Sequence, residues 1–384
     1  MRHGQRPSLS LDAAKRAFWT EGDIELQRMH FGFRPVAVVA WWARLDEHRS
    51  ESPNRGGIGF WTAEERAAVA WFSADGETTA RTPRIADSVA LIGVGDGEPA
   101  VTMQADLESF DDDGLTIRWR QPPSERWIVH CLALGGGSLR AARVGWGAPP
   151  PGTALSVRDP TADLLLAVPA ASDGVASDPE FEIGFGAASR RRQAAAGYVA
   201  DADAAPGAVT GTQRSGASIA WPNRDRARVA YLALEGIRAE VATTLSPPTV
   251  GASRVRVGFR PQALLLFSWG LAPTDEPRNI GRLCLGGAAG GEHGCAGWDD
   301  RDIAAPETAT HVVSSVDDML IVSDTQTGGT HARAQVTSFD ERGFTLDWTE
   351  ADGKLRELVY VAMGASESRP AGRARRLAAR ISRS

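Results

Sequence analysis

Few residues in this 384-residue chain have types and spacings that could do chemistry. The tightest group is Cys284, His293 and Cys295, a C-x8-H-x-C pattern. Zinc wants four ligands, commonly arriving as paired short spacings, and no fourth partner stands nearby. Plain thiols, or a disulfide across a hairpin in an oxidising setting, are the other readings. Asp203, Asp299, Asp300 and Asp302 lie in the stretches "DADA" and "DDRD". Clustered carboxylates suit Ca²⁺, yet the spacing fits no EF-hand loop, and such stretches also read as acidic turns on the solvent side of a sheet. His130, inside "WIVHCLAL", reads as a core-strand histidine.

Motifs with a defined mechanism are missing. The chain has no G-x-S-x-G elbow, no H-E-x-x-H and no P-loop. "LGGG" and "LGGAAGG" precede no helical pattern, so they do not read as phosphate cradles. No carboxylate pair is singled out for glycoside hydrolysis. The expectation is a non-enzyme, with no catalytic residue, no cofactor and no metal site.

Binding is the remaining chemistry, and it points to aromatic and basic residues. Of 12 tryptophans, Trp42, Trp61, Trp71 and Trp298 fall outside the repeated core phrases described below. Aromatic faces make platforms for sugars and proteins, so these four are candidate surface contacts; packing in a core is the alternative. The C-terminal stretch "SESRPAGRARRLAARISRS" turns abruptly basic. Arg373, Arg375, Arg376 and Arg380 surround Leu377 and Ile381, which are spaced to share one face of a helical turn. This tail is expected to dock on an acidic groove of another subunit or copy, through guanidinium–carboxylate pairs; a solvated end is the alternative.

The elements that must position these residues emerge from internal repetition. "SFDDDGLTIRW" ends at Trp119 and "SFDERGFTLDW" at Trp348. "GFRP" occurs at Gly32–Pro35 and Gly258–Pro261, each time before an apolar run. A weaker middle copy reads "VRDPTADLLLAV", "SGASIAW" and "VAYLALEG". Gly114 to Trp119, Gly216 to Trp221 and Gly343 to Trp348 each span five residues. Within a copy the apolar period is two, as in strands: Leu115, Ile117 and Trp119 share a face, as do Phe344, Leu346 and Trp348. One stretch dissents, since "TAEERAAVAW" carries a capping box at Thr62 and Glu65. Its counterpart "GAAGGEHGCAGW" is too rich in glycine for a helix, so strand–turn–strand is expected. The fold class that follows is all-β: three tandem jelly-roll-like antiparallel β-sandwich repeats with a basic C-terminal tail. The expected boundaries are an N-terminal arm over 1–17, repeats over 18–135, 136–236 (divergent) and 237–365, and the docking tail over 366–384.

Composition narrows the setting. A net charge of −6 does not support a general electrostatic grip on nucleic acid. No apolar run approaches the roughly 18 residues of a membrane span. "MRHGQRPSLSLDAAKR" lacks the apolar core of a signal peptide, so synthesis in the cytoplasm is expected.

Read in order, "GFRP", an apolar strand, a glycine-rich hairpin, "SFDERGFTLDW" and "VYVAMG" resemble tandem β-sandwich modules of bacteriophage and phage-tail-like particles, including contractile injection and gene-transfer particles. The resemblance covers about residues 20–365 and brings no catalytic residues with it. It implies a structural or attachment protein (fibre, decoration, cap or receptor-binding part) on the surface of a virion or phage-like particle. Its partners would be other particle subunits, further copies of itself and a cell-surface glycan or receptor, contacted through loops such as 44–57 and 270–281. A lectin-like carbohydrate-binding protein is the runner-up reading, and a jelly-roll hydrolase the third.

Overall fold

The computed structural model describes residues 10–20, 22, 24–45, 51–74, 82–95, 100–147, 155–170, 176–178, 183–189, 195–199, 217–221, 228–270, 280–301, 309–323 and 329–366. Over those residues the chain is all-β and its sheets are antiparallel.

The first ten strands are β1 (Asp12–Trp19), β2 (Leu26–His30), β3 (Ala37–Arg44), β4 (Asn54–Trp61), β5 (Arg66–Ser73), β6 (Thr82–Asp87), β7 (Leu91–Val94), β8 (Val101–Asp111), β9 (Gly114–Gln121) and β10 (Trp127–Gly135). They pair as β1-β10-β3-β4-β5-β6 in a large sheet and β2-β9-β8-β7 in a small one. The next eight are β11 (Ala141–Gly147), β12 (Leu155–Asp159), β13 (Leu164–Ala170), β14 (Ala176–Asp178), β15 (Ile183–Ser189), β16 (Ala195–Val199), β17 (Ala217–Trp221) and β18 (Arg228–Glu235). Here the orders are β11-β18-β13-β15-β16 and β12-β17, while β14 extends the first large sheet beyond β6. The last ten are β19 (Ile237–Leu245), β20 (Gly251–Arg256), β21 (Ala263–Ser268), β22 (Ile280–Ala289), β23 (Glu292–Arg301), β24 (Ala309–Ser315), β25 (Leu320–Ser323), β26 (Thr330–Asp340), β27 (Gly343–Glu350) and β28 (Glu357–Ala365). They pair as β19-β28-β21-β22-β23-β24 and β20-β27-β26-β25. Position for position, this is the order of the first ten.

The reason for the apolar runs lies in two different neighbours. Along β3, Val38, Ala40 and Trp42 face the small sheet and join the core of the first sandwich. Val39, Trp41 and Ala43 point the other way, into a second core. That second core takes Phe60 and Trp71 from the first sandwich, Leu166 and Phe185 from the middle segment, and Phe267, Trp298 and Val361 from the last. The three large sheets therefore pack on one another. Contacts run head to tail: β4 and β5 meet β18 and β11, β15 and β16 meet β22 and β19, and β22 and β23 return to β1 and β10. This closes a ring around the shared core.

Close approach across the ring explains where glycine falls. A Cβ on Gly287 of β22 would sit 2.5 Å from Cη2 of Trp41, and one on Gly56 of β4 would sit 2.7 Å from Cε2 of Trp298. Each glycine makes room for an indole from the opposite sandwich, as glycine within a strand often does.

Two sequence expectations need amendment. Residues 12–17 of the supposed N-terminal arm belong to β1, which pairs with β10 from Asp12↔Gly135 to Trp19↔Ile128. The capping box makes a hairpin turn and no helix follows it. The Glu65 N–H donates to Thr62 Oγ1 at 3.0 Å and the Thr62 N–H donates to Glu65 O at 2.8 Å. The next residues then bury both faces as β5, a pattern that a one-sided amphipathic helix cannot satisfy. Trp119 and Trp348 are buried as expected, whereas Gly216 and the side chain of Trp221 lie outside what is described.

Candidate functional site

The four tryptophans proposed as surface contacts are all buried, and that expectation is corrected here. Trp42 and Trp61 fill the first sandwich, donating from Nε1 to Ile92 O at 2.9 Å and Ala90 O at 2.7 Å. Trp71 and Trp298 meet edge to face in the shared core, with centroids 4.9 Å apart. An indole between two sheets removes far more apolar surface from water than one standing on a loop, and burial decides its place.

The polar residues that matter were hidden in apolar-looking strands. Lys15 of β1 is 1% exposed and His130 of β10 is 0% exposed. Lys15 Nζ lies 2.9 Å from His130 Nδ1, and His130 Nε2 lies 2.7 Å from Ser314 Oγ on β24. Ser314 donates its hydroxyl hydrogen to Cys295 O at 2.9 Å. With that hydrogen committed, His130 Nε2–H donates to Ser314 and Nδ1 accepts from Lys15. The imidazole stacks on Trp41 at 5.5 Å. A Cβ on Gly294 would meet both His130 Nδ1 and Lys15 Cε at 2.9 Å, so the strand crossing above them has to be bare.

Register shows how unusual this chain of hydrogen bonds is. Lys15 pairs with Leu132, where Val144 pairs with Leu232 and Val241 with Val361. Valine is thus the occupant at the other two places. Lys15 makes no ion pair with a described residue, and burial is the main influence pulling its pKa from 10.5 to about 8. The sequence signal was present: a lysine in "DAAKRAFW", whose strand partner carries the histidine, but only the register joins the two.

Asp299 and Asp300 are likewise not solvent turns. Both lie in β23 and are buried. Asp299 accepts from Ser323, and Asp300 from Ser73 across the ring. Asn54 Nδ2 donates to Asp299 O at 3.1 Å, the Asn54 N–H to Thr310 Oγ1 at 3.3 Å, and Thr310 Oγ1 to Ser73 O at 3.2 Å. These bonds tie β4 and β5 to β23 and β24. Asp203 and Asp302 lie outside the described residues. Cys284 and Cys295 are free buried thiols on neighbouring strands, and burial pushes the Cys295 thiol well up. His293 turns to the Asp317 carbonyl at 2.7 Å rather than to the thiols. Among the described residues no group of three or more His, Cys, Asp or Glu side chains could hold a metal ion.

An open groove of about 1260 Å³ lies where the two "GFRP" loops approach each other. Phe31, Phe33, Phe259 and Phe339 supply its apolar walls, with Arg16 and Arg260 at the rim. Arg16 pairs with Glu292 and Arg260 with Glu341 at 2.5 Å and 3.6 Å. Neither loop motif pointed to this groove on its own; it exists because the last sandwich closes on the first. The attachment loops fall partly outside the described residues, at 46–50 and 271–279, and Asn54–Gly57 are buried in β4. The docking-tail residues Arg373, Arg375, Arg376, Leu377, Arg380 and Ile381 lie wholly outside them. No helix among the described residues is long and apolar enough to cross a membrane. No protein-family model and no curated protein matches the chain.

Proposed function

We propose that this chain is a non-enzymatic structural or attachment protein built from three diverged jelly-roll-like sandwiches, acting as a component of a phage-like particle. The single observation that carries the scaffold part is the shared core, in which Trp41, Trp71, Phe185, Phe267 and Trp298 hold three sheets to one another. Pairing of the first two strands with the last two, β1 with β10 and β2 with β9, supports the jelly-roll likeness. Meanders through β3–β6 and β7–β9 depart from it. The buried polar residues fit the same role, because His130 bonds Ser314, Asp300 bonds Ser73 and the Asp299 carbonyl bonds Asn54, each between the first sandwich and the last. The particle part rests on the sequence resemblance described above. Its partners would be other subunits and a cell-surface glycan or receptor, with the basic tail as a docking element.

A second reading, a carbohydrate-binding protein, draws on the phenylalanine-lined groove, since apolar clefts with a few polar groups suit small ligands. Density-gradient fractionation of producing cells, probed with an antibody to this chain, separates the two. Recovery in a particle fraction is expected. Recovery only among free soluble proteins overturns the particle reading.

A further inference from the structure

We propose that Arg238, Arg256 and Arg342 form a binding pocket for a phosphate or sulfate oxyanion, a site separate from any role in a particle. The three arginines line a cavity of about 490 Å³ with Phe259 and Ser189, against one carboxylate, Glu240. That carboxylate is already engaged by the Tyr360 hydroxyl at 3.1 Å. Arg238 is held in place by Gly258 O at 2.7 Å and lies 4.7 Å from the centre of the Phe259 ring. The side chains of Arg256 and Arg342 are exposed and make no ion pair or hydrogen bond among the described residues; an acid acting on Arg256, Asp340, is bonded to Arg254 at 2.9 Å.

The first sandwich shows what the same backbone looks like when it is neutralised. Arg256 pairs in register with the turn glycine Gly343, and His30 with Gly114. The residue before each glycine makes the same backbone bond, Val257 N–H to Arg342 O and Phe31 N–H to Asp113 O, both 2.7 Å. In the first sandwich the two side chains are His30 and Asp113, joined at 2.9 Å. In the last they are two arginines. Like charges placed together oppose the fold, and a guanidinium fork matches the geometry of a phosphate or sulfate group. The volume suits an oxyanion carried on something of sugar size.

The test uses the full chain at low salt, titrated calorimetrically with inorganic phosphate, glucose 6-phosphate and glucose. Binding of either phosphate-bearing probe, with glucose inert, is expected. Tighter binding of glucose 6-phosphate than of inorganic phosphate identifies a sugar-borne group; equal binding identifies the free ion. The double variant Arg256→His/Arg342→Asp, which installs the pair of the first sandwich, should weaken binding by about tenfold or more. Lys354→Ala, an exposed charge outside the pocket, should leave it unchanged. The proposal is overturned if neither phosphate probe binds up to roughly 10 mM, if the double variant binds as well as the parent, or if Lys354→Ala weakens binding equally.

Discussion

Replacing Lys15 by methionine should stabilise the protein at neutral pH and destabilise it in alkali. Folded Lys15 holds its proton only up to about pH 8, against 10.5 for the free side chain. Between those values the unfolded chain binds more protons, so stability rises with pH across the window. Below pH 8 the full cost of burying the charge is present. The gap from 10.5 to about 8, at about 1.4 kcal/mol per pH unit, makes that cost about 3 kcal/mol. Methionine has nearly the same length and no charge, so it removes the cost while keeping the volume. It also leaves His130 Nδ1 without its donor, which costs about 1 kcal/mol. The net expectation is a gain of about 2 kcal/mol at pH 7 and a loss of about 1 kcal/mol above pH 10.5. Cys131, Cys295, Glu292 and Arg16 also act on this site, each less than burial does. Urea unfolding midpoints of the two proteins, compared at several pH values, read the difference directly. A methionine variant that is less stable by the same amount at every pH would refute the reasoning, because the lysine would then be neutral or paired throughout.

Gly56→Ala should lose roughly 1–3 kcal/mol by driving a methyl group into Trp298, seen as a lower midpoint with β-sheet circular dichroism retained; an unchanged midpoint would mean that the indole has room to move. Trp348→Ala should cost about 3–5 kcal/mol, since the ring is buried and its Nε1 donates to Ser253 Oγ at 2.9 Å. Asp352 is held down to about pKa 2, first by its hydrogen bonds from Arg356. Its contribution is therefore complete above pH 3.8 and lost as pH falls towards 2, so the deficit of Asp352→Asn in thermal melts should vanish over that interval.

The all-β class and the inner faces were legible because they depend on a period of two and on spacing. The phrases around Trp119 and Trp348 located β9 and β27 with their buried faces. Trp71 and Trp298 were misplaced because a strand's periodicity does not say whether its second face meets water or another sheet. "LCLGGAAGGEHGCAGW" contained that information: its glycines mark where Trp41 and Lys15 press on β22 and β23. Reading them so requires knowing that the last sandwich returns to the first. The Lys15–His130–Ser314 chain was illegible for the same reason, as its members lie 115 and 184 residues apart and only tertiary closure joins them.

Ring closure within a single polypeptide has a further consequence for how the sequence can change. Three identical subunits around an axis would repeat every substitution three times. A lysine at the place of Lys15 would then bring three ammonium groups into one dry interior, and their repulsion would open the assembly. One covalent chain is free of that constraint. Valine can stay at 144 and 241 while position 15 takes a charge, and Asp113 can become Arg342 in one sandwich without altering its neighbours. Each surface is then open to separate selection, as if a homotrimer had been released from its own symmetry.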